Sequence, residues 1–214
     1  MGLVACGVAC GGASRSATGA MGPAAAIERA RADSLRYPYT KADIDFMSGM
    51  ISHHAQAIVM ARWAPTHGAS QALVRLSERV INAQNDEIGL MSRWLRDRNQ
   101  PVPEANPKGM VMEMGGMTHV MPMPGMLTDA QMAELDAARG EVFDATFLKY
   151  MIGHHRGAVT MVKELFSHRG AGQDESVFKF ANDVEVDQST EINRMIQMML
   201  ELGVMPPPPG AAAR

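Results

Sequence analysis

Cysteine is almost missing from this sequence: the two present, Cys6 and Cys10, both fall within the first ten residues. The rest of the chain can therefore hold neither a disulfide nor a thiolate, whether as nucleophile or as metal ligand. Aromatic residues make up only 5% of the 214 residues, so large rings fill little of any core. The net charge is −3, and without a basic stripe nucleic acid is not an expected partner. No run approaches the roughly 18 to 20 apolar residues needed to cross a bilayer. There is no Gly-rich phosphate loop, no nucleophile elbow and no Glu-x-x-His pair, which removes the usual signatures of nucleotide binding, serine hydrolysis and helical di-iron sites. No strand pattern stands out either, so the expected fold is all-α.

What is present is a duplication. DIDFMSGMISHHAQAIVM, Asp43 to Met60, returns as DATFLKYMIGHHRGAVTM, Asp144 to Met161, displaced by 101 residues without a gap and identical at eight positions. Each copy is followed by a second shared piece, QNDEIGLM from Gln84 and QSTEINRM from Gln188, displaced by 104 residues. Only the intervening loop has changed length. The chain is a repeated helix pair, and four antiparallel helices joined by short turns make a four-helix bundle.

At about 100° per residue, His54 falls at the centre of an apolar stripe with Met47, Met50, Ile51 and Ala57. His155 repeats the position among Leu148, Met151, Ile152 and Ala158. His53 and His154 lie on the shoulders, and whether they face the core, a neighbouring subunit or water is left open. On the partner helices Gln84 and Gln188 are central, flanked by Glu87 and Glu191. A buried polar layer must be satisfied. Two readings stand: a hydrogen-bond network that fixes helix register, or a metal held by imidazole with thioether or carboxylate. In the metal reading His54, His155 and Met50 or Met151 are ligands, with Glu87 and Glu191 orienting the imidazoles through their second nitrogen.

Methionine is as abundant as aromatics are scarce, with 20 in the chain. Seven of them, Met110, Met112, Met114, Met117, Met121, Met123 and Met126, fall within 17 residues, with His119 among them. Thioether sulfur is a soft ligand that needs no deprotonation and favours Cu(I) over hard cations. Methionine also fills irregular gaps in cores, but a Gly- and Pro-rich loop has little core to fill. The linker is thus a candidate Cu(I) capture site.

The expected organisation is a flexible tail over 1–36, a bundle over 37–204 and a Pro-rich solvated tail over 205–214. Within the bundle, repeat one spans 40–98, the Met-rich linker 99–127 and repeat two 128–202. Thr40 with Asp43, and Thr128 with Gln131, read as capping boxes. Ser70 reads as an N-cap, His67 as a solvated turn residue, and Glu164 with His168 as a helix-end contact. Leu3-Val4-Ala5-Cys6 has the form of a lipobox. Five residues before Cys6 are too few for a signal peptide, so the expectation is a start further upstream and a domain lipid-anchored outside the cytoplasm.

The paired F-[M/L]-x-x-M-I-x-H-H-x-x-A motifs, each followed by Q-x-x-E-I, resemble the bacterial domain-of-unknown-function family 305. The resemblance covers about Thr40 to Leu202. It implies a ferritin-like four-helix fold and copper binding or copper resistance outside the cytoplasm. Met50, His53, His54, Met151, His154 and His155 match the family's M-I-x-H-H motif. The leading expectation is a non-enzymatic copper-binding protein, Cu(I) favoured, that buffers the ion or delivers it to a copper-handling partner protein. The alternatives are a structural or interaction module whose His/Gln/Glu layer is only a polar core, and a ferritin-like metalloenzyme.

Overall fold

The computed structural model describes residues 38–208, together with 25, 27 and 28; the lipobox reading at Cys6 lies outside them. Four long helices form the body: α1 (Lys41–Trp63), α2 (Gln71–Asp97), α4 (Gly140–Ser167) and α5 (Glu175–Glu201). A short α3 (Asp129–Ala137) and a two-stranded hairpin, β1 (Met110–Met114) and β2 (Met117–Met121), sit between the halves. Among the described residues no helix is long and apolar enough to cross a membrane.

Local chemistry starts each helix. The Thr40 hydroxyl accepts the Asp43 N–H at 3.3 Å while the Asp43 carboxylate accepts the Thr40 N–H at 2.6 Å, which satisfies free amides at the α1 N-terminus. Thr128 and Gln131 repeat the device on α3. Ser70 caps α2 through Leu73, and Asp174 caps α5 through Ser176 and Val177. Asp174 also pairs with the buried Arg98 guanidinium and accepts the Trp94 indole N–H at 3.0 Å, fastening the end of α2 to the start of α5.

The leading Asp of each repeat does more than cap. Asp43 accepts the Gly172 N–H at 2.7 Å, in the turn between α4 and α5. Its counterpart Asp144 accepts the Ser70 N–H at 3.1 to 3.2 Å, in the turn between α1 and α2. Each repeat thus grips the other's turn, and the halves cannot part without exposing two buried carboxylates.

Burial separates inner from outer helices. Sixteen of the 23 residues of α1 are buried, against eight of 27 in α2, so α1 is apolar nearly all round and α2 along one stripe. α1 packs chiefly on α2 and α4 on α5, with α1 and α4 meeting across the middle. The core divides into two apolar clusters. One gathers Phe46, Met50, Trp94, Met161 and Phe180; the other gathers Met60, Leu76, Phe147, Met151 and Met195. The four histidines of the two motifs lie in sequence between them.

Three expectations are corrected. The linker is not free of strand: Met110 to Met114 pairs antiparallel with Met117 to Met121, joined through Gly115 and Gly116 at φ 61° and 79°, the two left-handed residues of a tight hairpin turn. His67 is not solvated: it is buried under α3, donates to the Asp136 carbonyl and carboxylate at 3.0 Å each, and stacks on Trp63. The C-terminal tail is not wholly solvated, because the Arg156 guanidinium donates to the carbonyls of Pro208 at 2.8 Å and Pro207 at 3.2 Å.

Candidate metal centre

All four histidines of the motifs are buried. His54 and His155 turn outward from the α1–α4 seam to the partner helices. The His54 Nε2–H donates to Glu87 at 2.7 Å and the His155 Nε2–H to Glu191 at 2.6 Å, the orienting arrangement expected from the sequence. Gln84, Glu87, Asp187, Gln188 and Glu191 line a cleft of about 160 Å³ between α2 and α5. Burial, then the charges of Glu87, Asp183 and Glu191, raise the Asp187 carboxyl above its usual range.

The shoulder histidines turn the other way and face each other. The rings of His53 and His154 lie 3.8 Å apart, centroid to centroid, whereas neighbours on one helix are 6.2 and 6.4 Å apart. The wheel is right that adjacent imidazoles diverge, and what it could not show is that the diverging pair converges across the seam. His53 Nε2–H donates to the Pro124 carbonyl at 3.1 Å, so the end of the Met-rich linker covers this side. That approach requires Gly157: a Cβ there would lie 1.9 Å from the Pro124 oxygen and 2.7 Å from the Gly125 Cα.

The tautomers follow from the partners. A carbonyl or an ionised carboxylate can only accept, so His53, His54 and His155 each carry the proton on Nε2 and a lone pair on Nδ1. None of those Nδ1 atoms makes a well-formed hydrogen bond, and the His154 ring has only a loose approach to the His53 backbone. An orphaned buried polar atom costs about 1 to 3 kcal/mol, and four of these five imidazole nitrogens offer a lone pair, since the neutral His154 ring carries its proton on one of its two. A cation that accepts lone pairs supplies an explanation. Among the described residues no three His, Cys, Asp or Glu side chains form a ready-made cluster; the histidine donors come as a pair. Met50 and Met151, fully buried and one turn before His54 and His155, add thioethers nearby in sequence. Imidazole with thioether suits a soft, closed-shell ion such as Cu(I), which accepts low coordination numbers. The residues present therefore fit copper better than a hard cation.

Burial holds the His53 and His154 imidazolium forms down, and the neighbouring imidazoles lower them further, so both titrate well below the ordinary histidine value. The native metal-free protein then binds fewer protons than the unfolded chain below about pH 6.5. Stability is full above that pH and falls as pH drops through it, by up to about 1.4 kcal/mol per pH unit for each histidine. Urea melts of metal-free protein at pH 5.5 and 7.5 measure this, and equal midpoints would refute it.

The methionines separate into two groups. The strand register pairs Met110 with Met121, Met112 with His119 and Met114 with Met117. Cross-strand partners share a face, and alternate residues share it too. Met110, Met112, Met117, His119 and Met121 therefore form one thioether-rich face. Met123 is half-buried where the linker returns to the bundle. Met126 is buried, and its sulfur accepts the Met123 N–H at 3.2 Å, so it serves the linker's own fold. Sequence reasoning missed Pro124, Gly157 and Asp187, none of which has a counterpart of the same type in the other repeat.

Fold and site together define a class: a duplicated four-helix bundle with a buried histidine quartet at its centre. The family model described as a domain of unknown function, DUF305, matches residues 43–199, and the chain belongs to that family. Among solved structures it is similar to a DUF305 protein from Streptomyces coelicolor described as secreted, at 28% identity over 78% of this chain and 97% of that one, with a TM-score of 0.65. A DUF305 fragment from Deinococcus radiodurans aligns at 26% identity over 78% and 98%, with a TM-score of 0.62. CopM in its Cu(I)-bound form aligns at 27% identity over 74% and 96%, with a TM-score of 0.56; silver-bound and Cu(II)-bound CopM structures align similarly. No curated protein matches the sequence.

Proposed function

We propose that this protein is a non-enzymatic copper-binding protein acting outside the cytoplasm, which buffers Cu(I) or passes it to a partner protein. The observation that carries this reading is the buried pair His53 and His154, whose rings face each other 3.8 Å apart with lone pairs that no donor satisfies. His53 and His154 would hold the ion, with Met50 and Met151 as thioether ligands, while Glu87 and Glu191 fix the tautomers of His54 and His155. The thioether face of the hairpin would collect Cu(I) at the surface. Similarity to CopM in copper- and silver-bound forms supports the metal, and the lipobox-like Leu3–Cys6 supports the location.

A second reading, the structural module, is favoured by one observation: His54 and His155 already have carboxylate partners, so half of the layer is satisfied without a metal. The two readings separate in an anaerobic Cu(I) titration against a chromophoric chelator. The intact protein is compared with one in which residues 110–121 are replaced by a short glycine bridge, which the pairing of Met110 with Met121 allows. The copper reading expects competition by both proteins, with fewer ions bound after the replacement. It also expects Cu(I) to raise the melting temperature, by the equivalent of about 4 kcal/mol at a thousandfold excess over Kd. Absence of competition and of any thermal shift would leave the histidines as structure.

A further inference from the structure

We propose that the groove between the hairpin and the C-terminal part of α4 is a second binding site, for a soft monovalent cation such as Cu(I) or Ag(I). In it Met161 and His168 of the α4 side face Met110, Met112, Met121 and Met123 of the linker. This deepens the copper reading and rests on it. Neither Met161 nor His168 belongs to the methionine run or to a histidine pair.

The groove has a volume of about 630 Å³, and all six of these residues line it. His168 stands just past the last turn of α4, and its Nδ1 lies 2.7 Å from the Glu164 carbonyl. That carbonyl can only accept, so Nδ1 carries the proton and the neutral ring presents its lone pair on Nε2. A backbone carbonyl on one nitrogen that fixes the tautomer and frees the other is how protein histidines are held for metals. The helix end adds a further bias, since its free carbonyls favour positive charge. Of the charged residues that line the groove, Lys41 and Asp45 neutralise each other in an ion pair at 2.6 Å, which leaves the Glu164 carboxylate to favour a cation.

The methionines divide by exposure. Met161 is 6% exposed and is held by α4, a fixed donor in the wall. Met121 is 45% exposed and Met110 and Met112 are half-buried, on a hairpin that is paired only with itself. An exposed thioether contributes little to core packing. As ligands these sulfurs suit a soft ion, because they bind it uncharged and without proton release. The hairpin can then close on the ion over the fixed pair Met161 and His168.

The test uses full-length protein with ¹³C-methyl methionine and ¹⁵N-histidine, titrated with Ag(I) as a redox-inert probe and followed by NMR. The wild type is compared with M161L/H168Q and with H53Q/H154Q. Leucine conserves the volume of Met161, and His168 is exposed, so the first variant keeps its fold. The inference expects the Met110, Met112, Met121, Met123 and Met161 methyls and the His168 ring to shift together in the wild type and in H53Q/H154Q. It also expects M161L/H168Q to bind the groove ion at least about tenfold more weakly. If Ag(I) binds while Met161 and His168 stay unmoved and M161L/H168Q retains wild-type affinity, the groove site is overturned and the copper reading stands. If the wild type binds neither Ag(I) nor Cu(I), both fall.

Discussion

Replacing His154 with leucine is expected to make the metal-free protein more stable while removing most of its copper-dependent stabilisation. Substitution of a buried polar side chain usually destabilises, but here neither ring nitrogen has a well-formed hydrogen bond, and the loose approach to the His53 backbone involves a helical peptide group that the helix itself satisfies. Exchanging an unsatisfied polar group for an apolar one of similar volume relieves about 1 to 3 kcal/mol. For a chain of this size that amounts to several degrees in melting temperature, at roughly 2 to 4 °C per kcal/mol. The same change removes one of the two facing imidazoles and should weaken copper binding in the core by about a hundredfold or more. Thermal unfolding with and without Cu(I), beside chelator competition, reads both effects. A metal-free variant that melts several degrees lower would instead show that His154 supports the fold. His53→Leu is the control that should gain less, because the relief of its Nδ1 is offset by stranding the Pro124 carbonyl that now accepts from His53.

Gly157→Ala is expected to be costly, because Gly157 makes the closest backbone approach of any described glycine. In an exposed helix this change would stabilise by about 1 kcal/mol. At this position the added Cβ would meet the Pro124 oxygen at 1.9 Å and the Gly125 Cα at 2.7 Å. Both are backbone atoms, so no side-chain rotation relieves the clash. Either α4 shifts, at a cost of about 1 to 3 kcal/mol or more, or the linker lifts from the seam and the His53 hydrogen bond is lost. Hydrogen exchange distinguishes the outcomes: protection should fall at residues 122–127 and stay unchanged at the α2 and α5 caps. Full protection of the linker with wild-type melting would show that the close approach is not retained in solution. Lifting the linker also opens the His53–His154 side to water, so copper should exchange faster from the core of this variant.

The parts of the molecule that were legible in the sequence are those written with a period. The helix pairs, the capping boxes at Thr40 and Thr128, and the pairing of His54 with Glu87 and of His155 with Glu191 follow from spacing along one helix or from repetition between two. The hairpin was written with a period as well, in M-x-M-x-M and M-x-H-x-M around Gly115 and Gly116. Methionine has little intrinsic preference for strands, and glycines and prolines on both sides disguised the alternation as loop. His67 was obscure for another reason: its burial is supplied by α3, 69 residues further on, and nothing local announces it. The meeting of His53 with His154, and the groove joining Met161 and His168 to the hairpin, depend on how α1 crosses α4 and where the linker returns. Such relations reside in tertiary geometry, which a wheel drawn for one helix does not contain.

A two-fold arrangement built from separate, identical subunits would give each member of a facing pair the same surroundings. Here the two halves are one polypeptide, and a single linker passes over only one side of the seam. His53 is tethered to the linker through Pro124, while His154, its counterpart in the other repeat, makes no bond to the linker. Joining the repeats has therefore broken the symmetry at the centre, giving two equivalent imidazoles of the repeat different surroundings, one held under the linker and one not.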